Sequence, residues 1–375
     1  MADVIPFNKS SITNSVLSSA HQILSKNCSF SGGGRLYSLA QKMAMRISSH
    51  IPFFVTSATS ALEMIFLLVS QKDLFRREVI LPSYTFSSCA NAILRAGLKP
   101  VFVDIGLNGC VDFHRLEQKI TDQTLAVMAV EYCGIDCVDR KFFKKLQATG
   151  IYTIIDAAQS VGSAHWMQSD LWDCTDFVAF SFHDTKNVSC GEGGALFISP
   201  HLSRDLIDLS HIVFEKGTNR KKFINGEVNK YSWQAVGGSF ICSEISLAFL
   251  VAQRRKIGQE MENRVDIASE LALVCDFMRD DLVSFWTPSL GGNGHFFWLV
   301  FDEQRKSQDF LDKMAAANVQ TVRHYTPLHF ASFLGSPVEG NEFPNTRLFA
   351  ENLIRVPTHD PDVVPRFKRV AGVKK

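Results

Sequence analysis

The sequence predicts an α/β fold, in which a large, mostly parallel seven-stranded sheet is covered by helices and followed by a smaller C-terminal α/β unit. Two observations carry this. From residue 53 onward, short apolar runs rich in β-branched residues alternate with stretches of helical spacing, the pattern of a sheet buried on both faces. Near residue 245 the pattern changes to one long helical stretch and then two further strand-like runs, so the expected domains are 1–244 and 245–375.

Composition agrees and narrows the function. A chain of 375 residues with 46% hydrophobic and 21% charged residues can bury a sizeable core. The formal net charge of +1 gives no bulk attraction for nucleic acid or a membrane surface, so any basic site is local. No apolar run is long enough to span a bilayer, and Met1 to Pro6 lacks the charged-then-apolar pattern of a leader, so a cytoplasmic protein is expected. Nine cysteines, several among apolar neighbours (Cys89, Cys174, Cys242, Cys275), read as reduced buried thiols rather than a disulfide framework. Cys133 and Cys137 have no second pair to complete a zinc site, and no metal is expected.

In chain order, residues 10–25 show the spacing of an amphipathic helix, and Ser31-Gly32-Gly33-Gly34 reads as a flexible turn after it. Strands are expected at Phe53–Thr56, Val79–Leu81, Pro100–Asp104, Leu125–Val130, Tyr152–Asp156, Phe177–Phe182 and Ala195–Ser199. The last two are separated only by a loop, which allows one antiparallel neighbour. Glu215 to Trp233 is polar and aperiodic, as in a functional or disordered loop. A helix is expected from Ser243 to about Met278, strands at Gly294–Val300 and Val319–Tyr325, and a helix from about Gln308 to Ala316 between them. Lys368, Arg369, Lys374 and Lys375 read as a solvated tail.

Four stretches carry chemistry. Ser181-Phe182-His183-Asp184-Thr185-Lys186-Asn187 places Lys186 on a polar loop between two buried strands, where desolvation would make a lysine a good imine-forming nucleophile. Tyr152 to Gln159 delivers Asp156 at the carboxyl end of a strand, the edge where open parallel sheets bind ligands. A lysine and a carboxylate so placed are the two protein groups that pyridoxal phosphate needs, one for covalent attachment and one to keep the pyridine nitrogen protonated. Thr56-Ser57-Ala58-Thr59-Ser60-Ala61 follows a strand and opens a helix, a junction whose free N–H groups and dipole suit a phosphate or simply a Ser/Thr cap. Gly191-Glu192-Gly193-Gly194 offers backbone freedom where the chain and a ligand approach closely.

With these stretches, and with Pro82-Ser83-Tyr84-Thr85-Phe86, the chain resembles the DegT/DnrJ/StrS sugar aminotransferases, fold-type I pyridoxal-phosphate enzymes, over nearly its whole length. Glu215-Lys216-Gly217-Thr218-Asn219-Arg220 with Lys230-Tyr231-Ser232-Trp233 resembles the branch acting on dTDP-linked 4-keto-6-deoxyhexoses. The resemblance implies that Lys186 and Asp156 are catalytic and that Ser57, Ala58, Thr59, Phe86, Gln159, Ser181 and Ser239 join them in holding pyridoxal 5'-phosphate. Phe86 would stack on the ring, Gln159 would meet its hydroxyl oxygen, and Ser181 would donate to the phosphate. Arg220, Lys230 and His329 are candidate sugar-nucleotide contacts, although His329 could instead be a satisfied structural histidine. The implied reaction moves an amino group from L-glutamate to the C4 ketone of a dTDP-4-keto-6-deoxyhexose, giving 2-oxoglutarate and a dTDP-4-amino-4,6-dideoxyhexose for surface polysaccharide such as O-antigen, or for antibiotics. Alternatives are amination at C3 or a regulatory homologue without turnover. The resemblance also implies a homodimer with shared active sites, in which Glu215 to Ser239 reaches across and Ser239 stands where many members have asparagine.

Overall fold

The computed structural model describes residues 3–26, 29–254, 256–334 and 342–373. Seven strands form the large sheet: β1 (Ile51–Val55), β2 (Glu78–Pro82), β3 (Lys99–Val103), β4 (Thr124–Val130), β5 (Tyr152–Asp156), β6 (Phe177–Ser181) and β7 (Gly194–Ile198). Their order is β1-β7-β6-β5-β4-β2-β3, and β7 alone runs antiparallel to its neighbours. All seven expected strands are present, and so is the antiparallel neighbour. The central strands are continuous apolar runs because helices cover both faces. β4, β6 and β7 are buried along their full length.

The strand order reverses between β2 and β4. At such a point the loops leaving the carboxyl ends diverge and open a crevice. Register fixes what faces it. Val130 of β4 pairs with Asp156 of β5, and Asp156 pairs with Ala179 of β6, so the aspartate sits at the carboxyl edge in the middle of the sheet. Val55 pairs with Gly194, which brings the turn after β1 against the start of β7.

A second sheet has the order β10-β9-β8, built from β8 (Leu282–Phe285), β9 (Phe297–Phe301) and β10 (Leu353–Val356). It has its own core, with Trp286, Trp298, Phe297, Phe349 and Phe367 fully buried. Here sequence and structure part. The expected strand Val319–Tyr325 makes only single bridges, from Val319 to Ile5 and from Val322 to Arg355. The expected helix from Ser243 is two helices, Glu244–Gln253 and Ile257–Cys275. The break falls where the packing partner changes: Leu247 and Ala248 belong to the large core, whereas Ile267 and Ala268 belong to the second.

Three further expectations are corrected. Gly32 to Gly34 are not simply a flexible turn. Gly34 caps the helix Arg35–Ala44, and the buried Glu244 carboxylate accepts from the N–H groups of Gly34, Leu36 and Tyr37. Cys110 and Cys137 are joined by a disulfide, because the loops after β3 and β4 bring their Cα atoms to 5.3 Å, while Cys89, Cys133, Cys174, Cys190, Cys242 and Cys275 are free and buried. Lys368 and Arg369 lie in the helix Val363–Val370 rather than a tail, and Lys374 and Lys375 fall outside the described residues. Among the described residues, no helix is long and apolar enough to cross a membrane.

Candidate active site

At the carboxyl edge of the large sheet lies a cavity of about 540 Å³. Its wall includes Ser57, Ala58, Thr59, Phe86, Asp156, Gln159, Ser181 and Lys186. Eight of the expected cofactor residues, spread over 130 positions of sequence from Ser57 to Lys186, therefore meet in one place.

Each is positioned by a local cause. Ser57 is the N-cap of the helix Ala58–Lys72, and its Oγ accepts from Ser60 N at 3.0 Å. The first N–H groups of that helix, at Ala58 and Thr59, have no acceptor within the helix, and both residues line the cavity, where the dipole favours an anion. A Cβ added at Gly194 would stand 2.6 Å from Ala58 N, so only glycine lets β7 pass under this turn. Asp156 is 6% exposed. Its Oδ1 accepts from Ala158 N at 3.0 Å, and its Oδ2 accepts from the Cys89 thiol at 3.1 Å. Burial pushes its carboxyl upward, while the Cys89 thiol, the Ala158 N–H and the Lys186 charge favour the ionised form.

Lys186 is half-buried on the loop after β6, and its N–H bonds to His183 O at 2.9 Å. Burial lowers its amine to about 8; the Asp156 charge opposes this and Arg355 reinforces it. Such a lysine is neutral, hence nucleophilic, in a useful fraction near neutral pH. Gln159 does not hang free. Its Oε1 accepts from Cys133 N at 2.6 Å and its Nε2 donates to Tyr325 Oη at 2.9 Å, tying the large sheet to the segment beside the small one. Phe86 is 56% exposed on the cavity wall, with its ring centroid 6.0 Å from that of Tyr325. Ser181 Oγ accepts from His183 N at 3.3 Å.

The remaining candidates lie elsewhere. His329 does not line the cavity. Its Nδ1 is 2.6 Å from Ser83 Oγ and its ring stacks on Phe343 at 4.1 Å, which is the packing of a structural histidine. Arg220 and Lys230 are exposed on the projecting segment, with Arg220 paired to Glu215 at 2.9 Å. Ser239 bridges to Glu215 at the base of that segment. The segment is more ordered than an aperiodic loop, holding the helix Arg220–Ile224 and a bridge from Thr218 to Trp233.

Sequence reasoning missed other wall residues: Phe7, Asn8, Glu131, His295 and Arg355. Glu131 is fully buried at the end of β4, where its carboxylate takes His165 Nε2 at 3.0 Å and Trp166 Nε1 at 2.9 Å. His295 Nδ1 meets Asn187 Oδ1 at 2.9 Å, and burial beside Lys186, Arg264 and Arg355 keeps its ring neutral. Arg355 stands alone as a charge within the apolar run Leu353-Ile354-Arg355-Val356, a signal that sequence could have offered.

A buried carboxylate, a lysine with a lowered pKa, an exposed aromatic face and a free helix N-terminus within one cavity fit a protonated pyridine ring bearing an aldehyde and a phosphate. The model for the DegT/DnrJ/EryC1/StrS aminotransferase family matches residues 10–369. The chain belongs to this family. It is thus a pyridoxal-phosphate-dependent aminotransferase. It is 26% identical over 369 residues to the spore coat polysaccharide biosynthesis protein SpsC of Bacillus subtilis, covering 92% of this chain and 91% of that one. It is 21% identical over 348 residues to a UDP-4-amino-4,6-dideoxy-N-acetyl-beta-L-altrosamine transaminase of Campylobacter jejuni, covering 88% and 85%. Among solved structures it superposes on Helicobacter pylori PseC, an aminotransferase involved in the biosynthesis of pseudoaminic acid, with a TM-score of 0.84 at 19% identity and 98% of each chain covered.

Proposed function

We propose that this aminotransferase moves an amino group from L-glutamate to the C4 ketone of a nucleotide-linked 4-keto-6-deoxyhexose, with dTDP as the nucleotide. The observation that carries the transfer chemistry is the convergence of Lys186, Asp156 and the helix N-terminus at Ser57 on one cavity. The Campylobacter jejuni relative, whose name specifies a 4-amino-4,6-dideoxy sugar on UDP, supports the position of the amino group. The segment from Glu215 to Trp233 supports the dTDP-linked substrate.

When bound, pyridoxal phosphate supplies an electron sink that stabilises negative charge at the reacting carbon. The protein supplies the rest. Asp156, held by Cys89 and Ala158, keeps negative charge fixed at the ring-nitrogen end. Lys186 would hold the cofactor covalently, and its free amine would take a proton from the donor carbon as base and return one as acid. The first N–H groups of the helix at Ser57 would hold the phosphate and so fix the position of the ring. The Gln159–Tyr325 hydrogen bond ties together two residues of the cavity wall.

The same reading makes the working unit a homodimer, with domains at 1–244 and 245–375. The segment between Glu215 and Ser239 leaves Trp233 76%, Ile224 61% and Val236 57% exposed, apolar surface of the kind that a partner subunit covers. Arg220, Lys230 and Ser239 would then reach the partner's cavity, where they meet the sugar nucleotide and the cofactor phosphate.

The test is product NMR after incubation with L-glutamate and dTDP-4-keto-6-deoxyglucose. A new amine-bearing C4 is expected. Amination at C3, or turnover only with the UDP-linked sugar, would overturn the corresponding part.

A further inference from the structure

A second cavity, of about 200 Å³, adjoins the Lys186 loop. Asn187 and Val188, the two residues after Lys186, form part of its wall. The N-terminal segment contributes to both cavities: Phe7 and Asn8 line the active one, and Lys9, Ser10 and Ser11 line the second. That segment is fastened at two places. On the side of the small sheet, Ile5 N donates to Asn318 O at 2.9 Å and His359 Nε2 donates to Pro6 O at 2.8 Å. On the Lys186 loop, Ser10 Oγ donates to Asp184 Oδ1 at 2.6 Å and Ser189 N donates to Ser11 Oγ at 3.0 Å.

Charge at the second cavity is unbalanced. Lys9, Lys256 and Arg264 line it against one carboxylate, Glu260. His359 lines it too, and burial, with the charges of Arg264 and Lys9, keeps that ring neutral. The helix Ile257–Cys275 supplies one wall, with Ile257, Glu260 and Arg264 on one face by helical spacing. The helix starts here without a side-chain cap, so its first N–H groups and the positive end of its dipole are free. Arg264 is the decisive residue. It is 6% exposed, and among the described residues the only hydrogen bond from its side chain runs from Nε to Glu260 Oε1, at 3.0 Å. Glu260 is 43% exposed, so solvent weakens the pair. Lys256 Nζ meets the neutral Ser15 hydroxyl at 2.7 Å. A buried guanidinium with unused donors, beside two more cations and a helix N-terminus, is short of an anion. The volume lies below the roughly 300 Å³ at which pockets for drug-sized ligands begin, so the anion is small. We propose that this cavity binds a phosphate group, free or on a small monoester, and that the bound anion fastens the N-terminal segment to the Lys186 loop. Phosphate suits the site better than a carboxylate because three oxygens can meet the guanidinium fork, an ammonium and the helix N–H groups together. This goes beyond the amino-transfer reading and depends on the identity of neither substrate.

The experiment titrates inorganic phosphate calorimetrically into the holoenzyme, saturated with pyridoxal phosphate so that the cradle at Ser57 is filled, with chloride holding ionic strength constant. One phosphate per chain is expected. Arg264→Gln should weaken its affinity about tenfold or more, the effect of losing a charge-assisted hydrogen-bond partner, and Arg264→Lys should weaken it less. Lys9→Gln, at an exposed position that folding tolerates, should weaken it about two- to fivefold. Arg220→Gln should leave it unchanged. Hydrogen exchange at the amides of residues 5–13 and 184–189 should slow when phosphate binds. Glycerol phosphate separates the two sources: binding as tight as that of phosphate assigns the site to a monoester, weaker binding assigns it to inorganic phosphate, and either upholds the site. No binding to the holoenzyme, or undiminished affinity in both Arg264→Gln and Lys9→Gln, overturns the inference. So does a loss in Arg220→Gln in their place, which would put the phosphate among the sugar-nucleotide contacts. A holoenzyme that binds phosphate as stated but transfers no amino group sinks only the reading above.

Discussion

The thiol of Cys89 donates to Oδ2 of Asp156 at 3.1 Å, joining the helix after β2 to the carboxyl end of β5 across the point where the strand order reverses. Burial holds the thiol well above its ordinary range, so it remains a donor, and its hydrogen bond favours the ionised carboxylate that the proposed reaction needs. In Cys89→Ala that support is gone and the Asp156 carboxyl rises further. The ionised form is then lost at higher pH as pH falls. The acid limb of the kcat/KM profile should move to higher pH, with Cys89→Ser intermediate. A limb that does not move would remove the thiol from the account.

Asp156→Asn keeps the shape of the side chain and removes its charge. With the fixed charge gone, kcat should fall by about 100- to 1,000-fold, the range for losing one preorganised electrostatic group. The thermal midpoint should stay near the parent value because the amide is neutral and buried. A near-parent rate would exclude Asp156 from the mechanism.

Gly194 separates cofactor binding from chemistry. In Gly194→Ala the new methyl meets Ala58 N at 2.6 Å and displaces the turn that ends at Ser57. Affinity for pyridoxal phosphate, followed by quenching of tryptophan fluorescence, should weaken by at least about tenfold, the effect of one lost charge-assisted hydrogen bond. Equal affinity would mean that the phosphate sits elsewhere.

Much of the site could be read from sequence because its parts are local. A strand, a cap and a helix, as at Phe53 to Ala61, announce themselves within ten residues, and so do the Asp156 and Lys186 loops. What escaped reading is what depends on distant partners. Arg355 becomes a site residue only because β10 lies beside Tyr132 and Tyr325. Of the two readings open for His329, the structural one depends on Ser83, which is 246 positions away. Likewise Cys110 and Cys137 come together only when β3 and β4 have folded. The short strands β8 and β10 went unread because four residues interrupted by Ser284 or Arg355 show no period.

The projecting segment yields a test of assembly. In the proposed dimer, Lys186→Ala and Ser239→Trp should each be inactive, the first for want of the lysine and the second because indole would block the partner's cavity. After subunit exchange, heterodimers carry one intact site and should recover a quarter to a half of the parent rate, by the counting of shared sites in a two-fold dimer. Proven heterodimers without activity would mean that each site is built from a single chain.

The central claim is that Lys186 is the residue to which the cofactor is attached. Borohydride reduction of the loaded protein, followed by peptide mapping, measures this directly. One pyridoxyl group is expected, on the peptide containing Lys186, and none after Lys186→Ala. A pyridoxyl group on any other lysine, or a parent protein that traps none, would contradict it.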